Sequence, residues 1–125
     1  MRAKSATYIC PMQAKKLGNE KIVLGIDPGT TVMGYGLIQT EGNFMRLLDI
    51  GVLKLSVKDD HATKLAVIFQ ELIRIIDLHH PDELAIEAPF YGKNVQSMLK
   101  LGRAQGVAIA AALSRQIPVV EYAPK

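Results

Sequence analysis

Two acidic residues, each placed directly after a short apolar run, are the first candidates for chemistry. Asp27 ends the apolar segment 21–27, and Glu87 ends the apolar segment 83–87. Because neighbouring strands lie about 4.8 Å apart, carboxylates at two adjacent strand ends can share one cation. Oxygen ligands of this kind favour Mg²⁺ or Mn²⁺, with phosphate oxygens and water completing the coordination. Spacing alone leaves a second interpretation open, in which each acid caps a turn or pairs with a lysine.

Three glycines follow the first acid closely. Gly29 permits a tight turn after Asp27, and Gly34 and Gly36 fall on one face of the next predicted strand. Positions without a side chain let a phosphate or another backbone approach closely. Close packing within the protein explains such glycines equally well, so the pattern is consistent with a ligand site without requiring one.

The hydrophobic pattern predicts elements that bring the two acids together. Residues 21–27, 32–39 and 44–55 are predicted to form an antiparallel meander of strands. The nearly continuous apolar run of 21–27 predicts a central strand covered on both faces. A right-handed crossover then places strand 83–87 parallel to strand 21–27, so both acids reach the sheet edge where α/β proteins bind ligands.

Two helices complete a βββ-α-β-α-β order, which is an α/β class with a mixed sheet. The first begins after Asp59 or Asp60 and ends at Pro81, because proline cannot continue a helix. The second runs from Asn94 to about Arg115 and leads to a last strand at 118–122. Residues 21–125 are thus one domain, and 1–20 are expected to form a flexible N-terminal extension.

Charge is divided unevenly along the 125 residues, which have a net charge of +3 and a pI of about 9.1. The whole excess lies in residues 1–20, whereas residues 21–92 carry −4 and residues 93–125 carry +4. In the basic part, Lys93, Gln96, Lys100 and Arg103 recur at three- to four-residue steps, so on a helix they would form one polar stripe that begins near the acids. Such a stripe can meet DNA phosphates, or it is an ordinary solvated helix face.

The cysteine content and the apolar run lengths favour a cytoplasmic protein that does not enter a membrane. Cys10 is the single cysteine, so no intramolecular disulfide can form, which fits a reducing compartment. The longest apolar run is Val107–Leu113, whereas a bilayer span needs about 20 apolar residues.

Six segments of the chain form a recognisable set of motifs: Gly25–Thr31, Gly34–Gly36, Ala85–Phe90, Gly92–Asn94, Leu99–Ala108 and Glu121–Ala123. In their order and spacing they resemble the RuvC family, the bacterial Holliday-junction resolvases. The resemblance covers about residues 21–125. It implies a ribonuclease-H-like fold and a homodimer that nicks opposed strands of a four-way DNA junction in recombination and repair. Branch-migration proteins are possible further partners.

The resemblance also implies roles for individual residues. Asp27 and Glu87 match the first two of four carboxylates that hold two Mg²⁺ (or Mn²⁺) ions and make up the catalytic site. Phe90, with Tyr91 beside it, matches an aromatic position used against unpaired bases at the junction centre. The remaining expected DNA contacts are Lys93, Asn94, Lys100 and Arg103.

One part of the family pattern is not found. The third and fourth family carboxylates are a closely spaced aspartate pair on a later helix, but residues 88–125 contain no aspartate, and Glu121 is their only acid. We therefore expect a truncated resolvase that lacks its final helix or helices and has little cleavage activity. Alternatives are an ATP-binding domain of the actin or sugar-kinase type, a YqgF-like nuclease, and a non-catalytic module that binds branched DNA.

Overall fold

Six strands and two helices make up the part of the chain that the structure describes. This structure, a computed structural model, describes residues 2–8, 19–88, 92 and 94–123. The elements are β1 (Arg2–Tyr8), β2 (Glu20–Asp27), β3 (Val32–Glu41), β4 (Phe44–Lys54), α1 (His61–His79), β5 (Glu83–Glu87), α2 (Val95–Ser114) and β6 (Val119–Ala123).

The strands form one mixed sheet in the order β1-β6-β5-β2-β3-β4. Strands β2, β3 and β4 pair antiparallel, and β5 lies parallel between β2 and β6. The predicted meander, the parallel return of strand 83–87 beside strand 21–27 and the βββ-α-β-α-β order of residues 20–123 are therefore confirmed.

Strand β1 adds an element in residues that the sequence pattern left outside the fold. Arg2–Tyr8 pairs antiparallel with β6 and forms one edge of the sheet, with an irregularity between Ala3 and Thr7. Backbone hydrogen bonds make this pairing, so it needs no apolar run in the sequence. Part of the predicted extension therefore takes part in the sheet.

Both helices pack on one face of the sheet. The core joins Leu24 and Ile26 of β2 to Leu72 of α1 and Ala108 of α2, and all four are buried. The prediction that β2 is covered on both faces is wrong for the described residues, because its other face opens into a cleft. Gly25 interrupts the apolar run on that second face, so the run did not indicate two packed layers.

Side chains fix where the helices begin and end. The Asp60 carboxylate accepts a hydrogen bond of 2.7 Å from the Thr63 amide and caps α1. His80 ends the helix in the left-handed conformation, with φ of 49°. Arg115, just after α2, forms an ion pair of 2.8 Å with Asp77 of α1, and this contact ties the two helix ends together. None of the helices in the described ranges is long and apolar enough to cross a membrane.

Candidate metal and nucleic-acid site

The two acids singled out by the sequence lie side by side at one end of the sheet. Ile26 of β2 is paired in register with Ile86 of β5, so Asp27 and Glu87 occupy the next position on two adjacent parallel strands. Because paired residues of parallel strands point to the same face, both carboxylates lie on the face opposite the helices. The predicted neighbourhood of these two residues is thus present in the fold.

A cleft of about 520 Å³ lies on that face and is lined by both acids. Its floor is made by residues with little or no side chain, and Ile50 and Val52 of β4 form one wall. The floor residues are Gly25, Gly34, Gly36 and Ala85. A methyl group added at Gly36 would meet nothing within 4 Å, so the protein's own packing does not require glycine there. The floor is therefore accessible to a backbone or a phosphate.

Gly29 does not line the cleft. Its lack of a side chain is required by the backbone of the connection after β2. A Cβ at this position would collide with the carbonyl oxygen of Val32. Gly29 lies in the connection between β2 and β3, and the approach of the Val32 carbonyl in this connection excludes a side chain.

The site carries negative charge that nearby described residues do not neutralise. Asp27 is exposed and Glu87 is half-buried, and neither forms an ion pair with a described residue. Two carboxylates that share a cleft fit a hard divalent cation, because they repel each other until a cation lies between them. Within the described ranges, no group of three or more His, Cys, Asp or Glu side chains comes together.

An acid that pairs with a lysine, the alternative considered for Asp27 and Glu87, is found at Glu83. Lys21 lies 2.5 Å from Glu83, at the other end of the same two strands. Glu83 is buried, with 8% of its surface exposed. No sequence motif indicated this pair, although the register of β2 against β5 brings the two residues together.

A hydrogen bond from α2 to the site was not predicted from the sequence. The side-chain amide of Gln105 donates to the backbone carbonyl of Glu87 at 3.1 Å. Gln105 is buried at 8% exposure among alanines of the helix. A polar residue at a core-facing position is the sequence signal that could have indicated this contact, because buried polar groups are nearly always hydrogen-bonded.

The residues expected to bind DNA are only partly within the described ranges. Lys100 and Arg103 are exposed on α2. Asn94 caps the same helix, since its side-chain oxygen accepts a hydrogen bond of 3.1 Å from the Ser97 amide. Phe90, Tyr91 and Lys93 lie outside the described residues.

Comparison with known proteins connects this site to one family. The family model described as crossover junction endodeoxyribonuclease RuvC matches residues 23–125. A curated relative of that name from Christiangramia forsetii is 62% identical over 109 residues, which are 87% of this chain and 57% of the relative. One from Cytophaga hutchinsonii is 62% identical over 106 residues, or 85% of this chain and 53% of the relative. The chain thus spans little more than half the length of these relatives.

Solved structures give the same result. Thermus thermophilus RuvC in complex with Holliday junction substrate matches with a TM-score of 0.77 and 30% identity, over 82% of this chain and 66% of that chain. The yeast mitochondrial Holliday junction resolvase Ydc2 shares the fold, with a TM-score of 0.63 and 15% identity over 90% of this chain and 54% of that chain. With the family model matching nearly the whole of the domain, the chain belongs to the RuvC family of crossover junction endodeoxyribonucleases.

Proposed function

We propose that this chain carries the first half of a divalent-metal-dependent nuclease site that cleaves four-way DNA junctions. The observation that supports this most strongly is the placement of Asp27 and Glu87 at the ends of adjacent parallel strands, above a glycine-lined cleft. The relatives named for this activity are longer than the chain, so its own activity has to be measured.

Asp27 and Glu87 would hold the metal through their carboxylate oxygens. A Mg²⁺ or Mn²⁺ ion held there would supply Lewis-acid activation of a water molecule and charge stabilisation at the leaving 3′ oxygen of a phosphodiester. Asp27 is exposed, so its carboxylate is the more accessible of the two to an ion bound to a DNA phosphate. Glu87 is half-buried, so its carboxylate is less accessible. The bare floor at Gly34 and Gly36 leaves room for the DNA backbone to come close to both carboxylates.

We further propose that the 125-residue polypeptide binds one ion weakly and nicks DNA slowly. Two-metal phosphodiester hydrolysis places two ions about 4 Å apart, and two carboxylates are too few to hold both tightly. Water would fill the remaining coordination positions, and the affinity would fall accordingly.

The exposed cations of α2 are proposed to bind the DNA backbone. Lys100 and Arg103 are three residues apart, a rise of about 4.5 Å along the helix, and neither makes an ion pair with a described residue. Replacing both with alanine should reduce the slope of log K against log salt by about 2. An unchanged slope would remove these two residues from the DNA interface.

A homodimer is part of the same proposal, because nicking two opposed strands of a junction needs two sites. Sedimentation velocity of the 125-residue polypeptide, alone and with a junction, tests this directly. A complex of two chains per junction is expected, and a 1:1 complex at saturation would contradict it.

The experiment that tests the function uses a synthetic four-way junction with Mg²⁺ and a linear duplex of the same sequence as control. We expect preferential binding to the junction and slow nicking by the unaltered chain. Asp27→Asn and Glu87→Gln should each abolish nicking and leave junction binding within about twofold, because Lys100 and Arg103 remain. Asp59→Asn, which makes the same chemical change away from the cleft, should behave like the unaltered chain.

Three results would overturn different parts of the proposal. Nicking that persists in Asp27→Asn would exclude the carboxylate site. Symmetric nicking by the unaltered chain at the rate of a longer relative would contradict the reduced activity. Junction binding without any nicking, even with Mn²⁺, would instead favour a non-catalytic branched-DNA-binding module.

A further inference from the structure

Gln105 is the only polar residue among the five buried positions of α2. The other four are Ala104, Ala108, Ala111 and Ala112. Placing an amide among these alanines costs free energy unless its polar atoms are hydrogen-bonded. The Nε2 atom of Gln105 donates to the Glu87 carbonyl at 3.1 Å, so the helix core has a polar contact directed at the strand end that carries the site.

The hydrogen-bond ladder explains why the Glu87 carbonyl needs this partner. Parallel pairing of β2 with β5 ends at Ile26 and Ile86. Continued by one residue, the register would give the Glu87 carbonyl a hydrogen bond from the amide of residue 28. Residue 28 is proline, which has no N–H to donate. The side chain of Gln105 therefore replaces the backbone donor that Pro28 lacks.

The peptide bond that follows Glu87 is consequently held at both of its polar groups. Its carbonyl accepts from Gln105, and its N–H, that of Ala88, donates to the Tyr122 carbonyl at 2.7 Å. A carboxylate projecting from a backbone fixed in this way has fewer orientations to lose when it binds an ion. Such preorganisation by a supporting residue increases metal affinity.

We infer that Gln105 is a positioning residue for Glu87, which it orients through the backbone without touching metal or substrate. The inference rests on the proposed function, in which Glu87 is a metal ligand. It also connects α2, the helix with the exposed cations, to the carboxylate site through one side chain.

Mn²⁺ binding, followed by the loss of the free-ion signal in electron paramagnetic resonance, is the test. Gln105→Met keeps the length and shape of the side chain and removes the donor, so the affinity should fall about tenfold. Gln70→Met, the same change at an exposed position of α1, should not alter it. All titrations are made at a temperature where circular dichroism shows each variant folded, because a merely structural contact lowers the melting temperature and leaves the affinity of the folded protein unchanged.

A compensating variant makes the test specific to the hydrogen bond. Pro28→Ala restores the backbone N–H at position 28, so the double variant Pro28→Ala with Gln105→Met should recover most of the lost affinity. A double variant as weak as Gln105→Met would overturn the inference, as would Gln105→Met binding like the unaltered chain. If Glu87→Gln also binds Mn²⁺ like the unaltered chain, the metal site itself is refuted, and the role of Gln105 with it.

Discussion

The two ends of the β2–β5 strand pair carry acids in opposite electrostatic settings. At one end, Glu83 is buried and paired with Lys21 at 2.5 Å. At the other end, Asp27 and Glu87 stand together over an open cleft and have no ion pair with a described residue. The strands, their direction and their spacing are the same, so the difference lies in what surrounds each carboxylate.

This difference separates a structural acid from acids available for binding. A buried carboxylate is tolerated when a cation neutralises it, and Lys21 does this for Glu83. Two neighbouring carboxylates without such a cation repel each other and reduce stability, a cost that proteins commonly accept at functional sites. The end that carries Asp27 and Glu87, here called the site end, is therefore expected to be the less stable of the two. It should gain stability when a cation binds.

The largest change in the free energy of unfolding is expected when a side chain is added at Gly29, in the connection that follows Asp27. Gly29→Ala should lower the free energy of unfolding by about 2–3 kcal/mol, because the new methyl group meets the Val32 carbonyl oxygen. Gly36→Ala, on the open floor, should leave it unchanged or raise it by up to about 1 kcal/mol. Urea denaturation of both variants measures this contrast, and equal losses would contradict it.

A smaller loss of stability is expected at the other end of the strand pair, where Lys21 and Glu83 form an ion pair. Lys21→Met should lower the free energy of unfolding by about 2 kcal/mol, since it leaves the Glu83 carboxylate buried without its cation. The value is below that for a fully buried pair because the Lys21 side chain is half exposed, at 49%. Lys58→Met, at an exposed position, is the control and should change stability by less than about 0.5 kcal/mol. A similar loss in both variants would show that the pair contributes nothing specific.

The smallest change in the free energy of unfolding is expected at the end that carries Asp27 and Glu87, and this change is an increase. Asp27→Asn should raise the free energy of unfolding by about 0.5–1 kcal/mol in the absence of divalent ions, because it removes one of two negative charges at neighbouring strand ends. The gain should shrink in high salt, which screens exposed charges. A loss of stability would mean that Asp27 has a favourable partner, and the contrast between the two ends would fail.

Much of the fold was predictable because its elements depend on local patterns. The alternating and continuous apolar runs located five strands, Asp60 and Pro81 marked the ends of α1, and the crossover fixed β5 beside β2. Strand β1 could not be predicted in this way, because an edge strand held by backbone hydrogen bonds needs no apolar pattern. The open second face of β2 was also missed, since a short run that contains Gly25 does not specify how many faces are covered.

The candidate site was predictable where it depends on strand ends and not where it depends on tertiary contacts. Asp27 and Glu87 could be placed together from sequence because each ends a strand of a parallel pair. The Gln105 contact joins residues 18 positions apart and arises only when α2 packs on the sheet. The Lys21–Glu83 pair likewise joins residues 62 positions apart and depends on the register of β2 against β5.

The most direct test of the central claim follows Mn²⁺ by its paramagnetic broadening of backbone amide signals in nuclear magnetic resonance. Asp27 lies six positions beyond Lys21 on the same strand, a distance of about 20 Å, so the two ends are readily distinguished. We predict that low Mn²⁺ concentrations selectively broaden the amides of Asp27, Glu87 and Ala88 and leave those of Lys21 and Glu83 sharp, and that Asp27→Asn suppresses the effect. Equal broadening at both ends, or unaltered broadening in Asp27→Asn, would contradict the assignment of a cation site to Asp27 and Glu87.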